Sequence, residues 1–107
     1  MIHVQITKNN NEYVKLYVNG HAGFASFGKD IVCSAVSILV INTINSIEQF
    51  CEDDFQCISY ERSGLIDVTF TSDNSEECRL LMNSLCLGLT NIQTEYAKYL
   101  TLQIEEV

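Results

Sequence analysis

The sequence predicts an α+β fold, a two-layer sandwich of a mainly antiparallel sheet and two long helices in the order ββαββαβ. Three observations carry this. Apolar residues alternate with polar ones in short segments that come in pairs. Two longer segments repeat apolar residues at helical spacing. A length of 107 residues has room for one hydrophobic core, hence one domain over residues 1–107.

Ile2, Val4 and Ile6 alternate with His3, Gln5 and Thr7, and Val14, Leu16 and Val18 alternate with Lys15 and Tyr17, across the polar link Lys8 to Glu12. These are two half-buried strands of a hairpin, and His3 faces solvent. From Gly20 to Gly28 the chain turns to small residues, with three glycines and neither period, so a loop is expected. Asp30 then stands as N-cap before a helix through Val32, Val36, Leu39, Val40, Thr43, Ile44, Ile47 and Phe50, running to about Cys51. Phe55 to Glu61 and Leu65 to Phe70 form a second hairpin turning at Arg62-Ser63-Gly64. A second helix, opened by Ser72 to Glu77, carries Cys78, Leu81, Met82, Leu85, Leu89, Ile92 and Tyr96, and acidic residues in its first turn suit the helix dipole. Thr101 to Val107 is a last strand.

Between Ile31 and Ile41 only Ser34 and Ser37 carry hydroxyls and no residue is charged. A helix apolar on every side has to be buried on every side, and a sheet covers one face only. A second copy of the chain is the expected cover for the other face, giving a homodimer; the alternative cover is the C-terminal helix. This apolar run is shorter than the roughly 20 residues that span a bilayer, so no transmembrane segment is expected. No positive region followed by an apolar stretch opens the chain, which places it in the cytoplasm.

Fourteen acidic against six basic residues give a formal charge of −8, which repels phosphate backbones and anionic lipid, so neither nucleic acid nor membrane is an expected partner. A basic protein is what this field attracts, although acidity also serves solubility, and the clusters at 48–54 and 73–77 read as solvated surface. Five cysteines without a C-x-x-C pair, beside two histidines, fit reduced thiols rather than disulfides or a metal site. No cofactor is called for.

Only the span from Gly20 to Ser37 gathers several reactive side chains. With Asp30 as cap, Cys33 is at the third helical position, where backbone N–H groups and the helix dipole favour a thiolate and can also serve an oxyanion. A loop folding back brings His21 to the sulfur, and a cysteine beside a histidine is the minimal activated nucleophile. Glycines at 20, 23 and 28 let that loop open and close over a peptide. The plainer readings make Cys33 a small core residue, His21 a turn histidine and Asp30 a cap. A carboxylate at 30 opposes thiolate formation unless it turns to orient His21. Cys51, Cys57, Cys78 and Cys86 have no histidine nearby in sequence and read as core or inert.

Gly20-His21-Ala22-Gly23, a short spacer, then Gly28-Lys29-Asp30-Ile31-Val32-Cys33-Ser34-Ala35-Val36-Ser37 resembles the signature of the ribosomal-processing cysteine protease family. The motif occupies 18 residues, and the length and element order extend the resemblance over essentially the whole chain. Members are small bacterial homodimers that remove an N-terminal extension from large-subunit ribosomal protein twenty-seven. The resemblance implies Cys33 as nucleophile and His21 as general base, with Asp30 matching the family's aspartate in an orienting or capping role. It implies a substrate-accommodating span that includes Gly20, Ala22, Gly23 and Gly28, with Ser34 and Ser37 on the adjoining helix. Ser34 stands where members often have alanine, a small residue for a small one. The cleaved bond is expected to follow two phenylalanines of the extension. The competing function from another class is a non-enzymatic ribosome-associated assembly or protein-binding module, favoured by the acidic surface and apolar helix. A thiol redox sensor is weaker, since no resolving cysteine is close in sequence.

Overall fold

A computed structural model of the chain describes residues 1–26 and 30–107. The elements are β1 (Ile2–Asn9), β2 (Glu12–Asn19), α1 (Ile31–Phe50), β3 (Phe55–Tyr60), β4 (Leu65–Phe70), α2 (Glu76–Glu95) and β5 (Leu100–Glu106), the expected ββαββαβ order. The strands form one five-stranded sheet ordered β3-β4-β2-β1-β5. The β1–β2, β2–β4 and β3–β4 pairs are antiparallel, and β1–β5 is parallel because α2 carries the chain back across the sheet before β5.

The first hairpin is tighter than the polar link from Lys8 to Glu12 suggests. Asn10 and Asn11 both have positive φ, 50° and 66°, the conformation of a two-residue turn whose twist matches the strands. Asparagine tolerates it because its short polar side chain lowers the steric cost. The second helix starts later than Ser72. Asn74 is buried, accepting from the Tyr13 N–H and donating from Nδ2 to the Tyr13 carbonyl at 3.2 Å, and this holds the segment non-helical until Ser75 caps α2 at the Cys78 N–H.

The core lies between one sheet face and the two helices. Ile2, Val4 and Ile6 of β1, Leu16 and Val18 of β2, and Val68 and Phe70 of β4 meet Val32, Val36, Val40 and Ile47 of α1 and Met82, Leu85 and Leu89 of α2. The helices pack closely where Gly88 faces Leu39: a Cβ on Gly88 would fall 2.9 Å from Leu39 Cδ1.

Helix α1 has 20 residues and contains an 18-residue window with a mean hydropathy of 1.6, enough in length and composition to cross a bilayer, more than the run from Ile31 to Ile41 suggests. Here its Val32, Val36, Val40, Thr43 and Ile47 face is buried against the rest of the chain. The helix is not covered all round. Ile31, Ile38 and Ile41 are 54%, 68% and 48% exposed, so α2 covers part of the apolar surface and leaves a stripe open.

One end of the sheet gathers the candidate site residues. The ladders pair His3 with Asn19, Val18 with Ile66, Tyr60 with Leu65 and Ile2 with Leu100, so the end of β2, the β3–β4 turn and the start of β5 lie together. The start of α1 joins them through Cys33, whose sulfur meets the Ala22 N–H just beyond β2.

Candidate active site

Asp30 is the N-cap of α1 and is 5% exposed. Its Oδ1 accepts from the N–H groups of Val32 and Cys33, each at 3.0 Å, and its Oδ2 accepts from the Phe24 N–H at 3.0 Å. One carboxylate thus caps the helix and ties the incoming loop to it. Burial works against the charged form, yet the backbone N–H groups of Cys33, Phe24 and Ala25 outweigh it and hold the carboxyl below its ordinary value.

Cys33 lies in the first turn of α1, half-buried, and its Sγ accepts from the Ala22 N–H at 3.1 Å. Burial pushes the thiol up, the Ala22 N–H pulls it down, and the Asp30 carboxylate adds to the upward push, so the net direction is up. The helix end therefore does not act as its position alone suggests. The N–H groups of Val32 and Cys33 are taken by the Asp30 side chain and that of Ser34 by the Asp30 carbonyl, at 3.0 Å. The Cys33 N–H expected to serve an oxyanion is engaged by the cap, and the donor aimed at the sulfur comes from Ala22.

His21 is exposed just beyond β2, and its Nε2 is 2.7 Å from the Arg62 carbonyl oxygen in the β3–β4 turn. His21 immediately precedes the residue whose N–H touches the sulfur, so Cys33, His21 and Asp30 share one end of the sheet. Both Asp30 oxygens point to backbone donors of the cap and the loop.

The predicted substrate-span residues fall as follows. Gly20, at the end of β2, has φ +98, and a Cβ there would lie 2.4 Å from the Met1 carbonyl oxygen. Ala22 has its methyl buried while its N–H reaches Cys33. Gly23 has φ +73 with open space around it. Ser34 and Ser37 are exposed on α1. Gly28 lies outside the described residues.

Sequence patterns did not single out the aromatic anchor of the loop. The Phe24 ring packs edge-on against Tyr99 and Tyr96, with centroids 5.2 and 5.9 Å apart. These tyrosines stand between α2 and β5, a spacing from Phe24 that no local period reveals. The other thiols differ from Cys33 in setting. Cys78 is fully buried and pushed up to about 12 by burial, Cys57 is exposed on β3, and Cys86 is 3.7 Å from the Tyr13 hydroxyl.

The family model described as cysteine protease Prp matches residues 1–101. The chain belongs to the cysteine protease Prp family. It is therefore a cysteine peptidase, and Cys33 is the thiol that a backbone donor addresses at a helix start. A Staphylococcus aureus protein (strain Mu50) named ribosomal processing cysteine protease Prp is 27% identical over 97 residues, 90% of this chain and 92% of that protein. The crystal structure of an S. aureus Prp with a covalently linked product peptide superposes with a TM-score of 0.92 at 25% identity, covering 97% of this chain and 99% of that one. A Streptococcus mutans protein superposes with a TM-score of 0.83 at 26% identity, covering 100% of this chain and 96% of that one. The ββαββαβ sandwich is thus the Prp fold.

Proposed function

We propose that this peptidase removes the N-terminal extension of bacterial large-subunit ribosomal protein twenty-seven, with Cys33 as nucleophile and His21 as general base. The observation that carries the reading is the Ala22 N–H on Cys33 Sγ at 3.1 Å, which sets the thiol of the G-H-A-G and D-I-V-C motifs against the residue that follows the histidine. A relative named for ribosomal processing, with a fold that holds a covalently linked product peptide in S. aureus Prp, supports the choice of substrate class.

Burial and the Asp30 carboxylate both oppose the thiolate. Deprotonation accordingly accompanies attack. The Cys33 proton passes to His21, the sulfur electron pair adds to the scissile carbonyl, and the imidazolium protonates the leaving amine as the C–N bond breaks. Water then adds to the thioester, giving up a proton to His21, and the released thiolate takes that proton back. The Ala22 N–H stabilises negative charge on sulfur during both steps. Asp30 acts as a cap that fixes the start of α1 and, through Phe24, the loop beside the sulfur.

The substrate is a basic ribosomal protein, and the net charge of −8 attracts it without competing for RNA. The working unit is a cytoplasmic homodimer, with Ile31, Ile38 and Ile41 at the interface. The assay is cleavage of the extended ribosomal protein, its product identified by mass. Cys33→Ala and His21→Ala are expected to abolish cleavage, and retention of activity by Cys33→Ala overturns the reading.

A further inference from the structure

His21 and Arg62 are 41 positions apart, yet His21 Nε2 sits 2.7 Å from the Arg62 carbonyl oxygen. A carbonyl oxygen only accepts, so in the neutral ring Nε2 carries the proton and the basic lone pair is on Nδ1. The approach is built in on both sides of this contact. The Gly20 N–H, one residue before His21, donates to the carbonyl of Ser63, one residue after Arg62, at 3.1 Å. The turn is closed by the Gly64 N–H on the Glu61 carbonyl at 3.1 Å, and the β2–β4 ladder through Val18 and Ile66 anchors its base.

Gly64 makes the approach sterically possible. Its φ is +66, and a Cβ there would fall 2.3 Å from the Gly20 carbonyl oxygen, inside the range that real Cβ atoms avoid. Any other residue at 64 pushes the turn away from the β2 end and carries the Arg62 carbonyl off the imidazole. Two adjacent hydrogen bonds and a glycine contact thus lock the turn to the segment that bears His21.

We propose that the β3–β4 turn is a positioning element for the base: the Arg62 main-chain carbonyl holds His21 in the Nε2–H tautomer and presents Nδ1 for proton transfer. A carboxylate side chain commonly has this third-member role, and here Asp30 is engaged by backbone N–H groups instead. Arg62 acts through His21, so it is a positioning residue and its guanidinium is not required by the argument. The proposal rests on the Cys33–His21 reading above. The proton from Cys33 arrives on Nδ1 and leaves from Nδ1 to the amine, while Nε2–H stays on the Arg62 carbonyl.

The test uses the full chain in two ways. Imidazole carbon and nitrogen chemical shifts of the Cys33→Ala protein, which distinguish the two neutral tautomers from each other and from the imidazolium, are expected to report one Nε2–H tautomer with a slowly exchanging Nε2 proton. Adding Gly64→Ala is expected to return the ring to the mixed tautomers of free histidine. In the active chain, Gly64→Ala is expected to lower kcat about tenfold with KM changed less than about twofold, the loss of one hydrogen bond in the transition state. An Nδ1–H or mixed tautomer in the Cys33→Ala protein overturns the proposal, and so does full kcat in Gly64→Ala. If Gly64→Ala does not fold, the tautomer of the Cys33→Ala protein decides alone. Full activity in Gly64→Ala alongside inactive Cys33→Ala and His21→Ala removes the clamp and leaves the dyad standing, whereas activity in Cys33→Ala removes the dyad itself.

Discussion

The Ala22 N–H donates to Cys33 Sγ at 3.1 Å, so a main-chain donor from the residue after His21 touches the candidate nucleophile. The helix start, which a position in the first turn suggests as the activating group, has its Val32 and Cys33 N–H groups already committed to Asp30. Activation of the thiol therefore balances the Ala22 N–H and, more weakly, the N-terminal ammonium against burial and a neighbouring carboxylate.

That balance is testable through Asp30→Asn. Asparagine keeps an oxygen for the Val32 and Cys33 N–H groups but removes the charge that pushes the thiol up. Alkylation of Cys33 by iodoacetamide, followed against pH, is expected to show a lower midpoint and several-fold faster reaction at neutral pH. The Phe24 N–H loses its charged acceptor, so stability should fall by about 1 kcal/mol in urea unfolding. An unchanged midpoint would show that the Asp30 charge does not reach the sulfur.

Acid sensitivity should trace to the two carboxylates that organise the helix starts. Asp30 caps α1, and Asp53 accepts from the Ser75 N–H at 2.8 Å and hydroxyl at 2.6 Å ahead of α2. In both, burial opposes the charge but hydrogen bonds win, and the folded carboxyl sits below its ordinary value. Their stabilisation is then fully present above the unfolded carboxyl value near pH 4 and is lost as pH falls through the lower folded values. The urea midpoint should decline over that acid window, and the decline should flatten in Asp30→Asn with Asp53→Asn.

Loop anchoring predicts the behaviour of Phe24→Ala. The variant loses two edge-on ring contacts, with Tyr96 and Tyr99. Since the ring is 40% exposed, the cost should be modest, about 1 kcal/mol. Cleavage by an added protease at residues 24–26 should quicken several-fold while the rest of the chain stays resistant. Equal cleavage rates would mean that the Asp30–Phe24 hydrogen bond alone holds the loop.

The open stripe on α1 predicts the oligomeric state. Ile38 is 68% exposed, so Ile38→Asp should cost the isolated fold little. Sedimentation equilibrium at tens of micromolar should give twice the chain mass for the parent and one chain mass for the variant. A monomeric parent would sink the homodimer.

Much of this molecule is readable along the chain. Alternation through Ile2, Val4 and Ile6 marks β1, the Asp30 cap marks the start of α1, and both lie where periodicity places them because each depends on near neighbours. The start of α2 was less legible, since Asn74 is held out of the helix by Tyr13, 61 positions away. The all-round apolar pattern of α1 calls for a cover on a second face but does not say which residues α2 leaves open, Ile31, Ile38 and Ile41, because the pattern of one helix does not say where its neighbour stops.

The candidate site divides in the same way. Cys33, His21 and Asp30 stand within one short motif, so the sequence alone determined which residues are candidates and placed the cysteine in the first turn of a helix. Only the tertiary structure decided what each of them touches: the Asp30 oxygens meet the cap and Phe24, Ala22 supplies the N–H to sulfur, and the Arg62 carbonyl takes Nε2 of His21. The reason is physical. Backbone donors and acceptors are common to nearly every residue and leave no mark in the side-chain alphabet, so which of them meets a candidate side chain is set by how the sheet brings distant turns together.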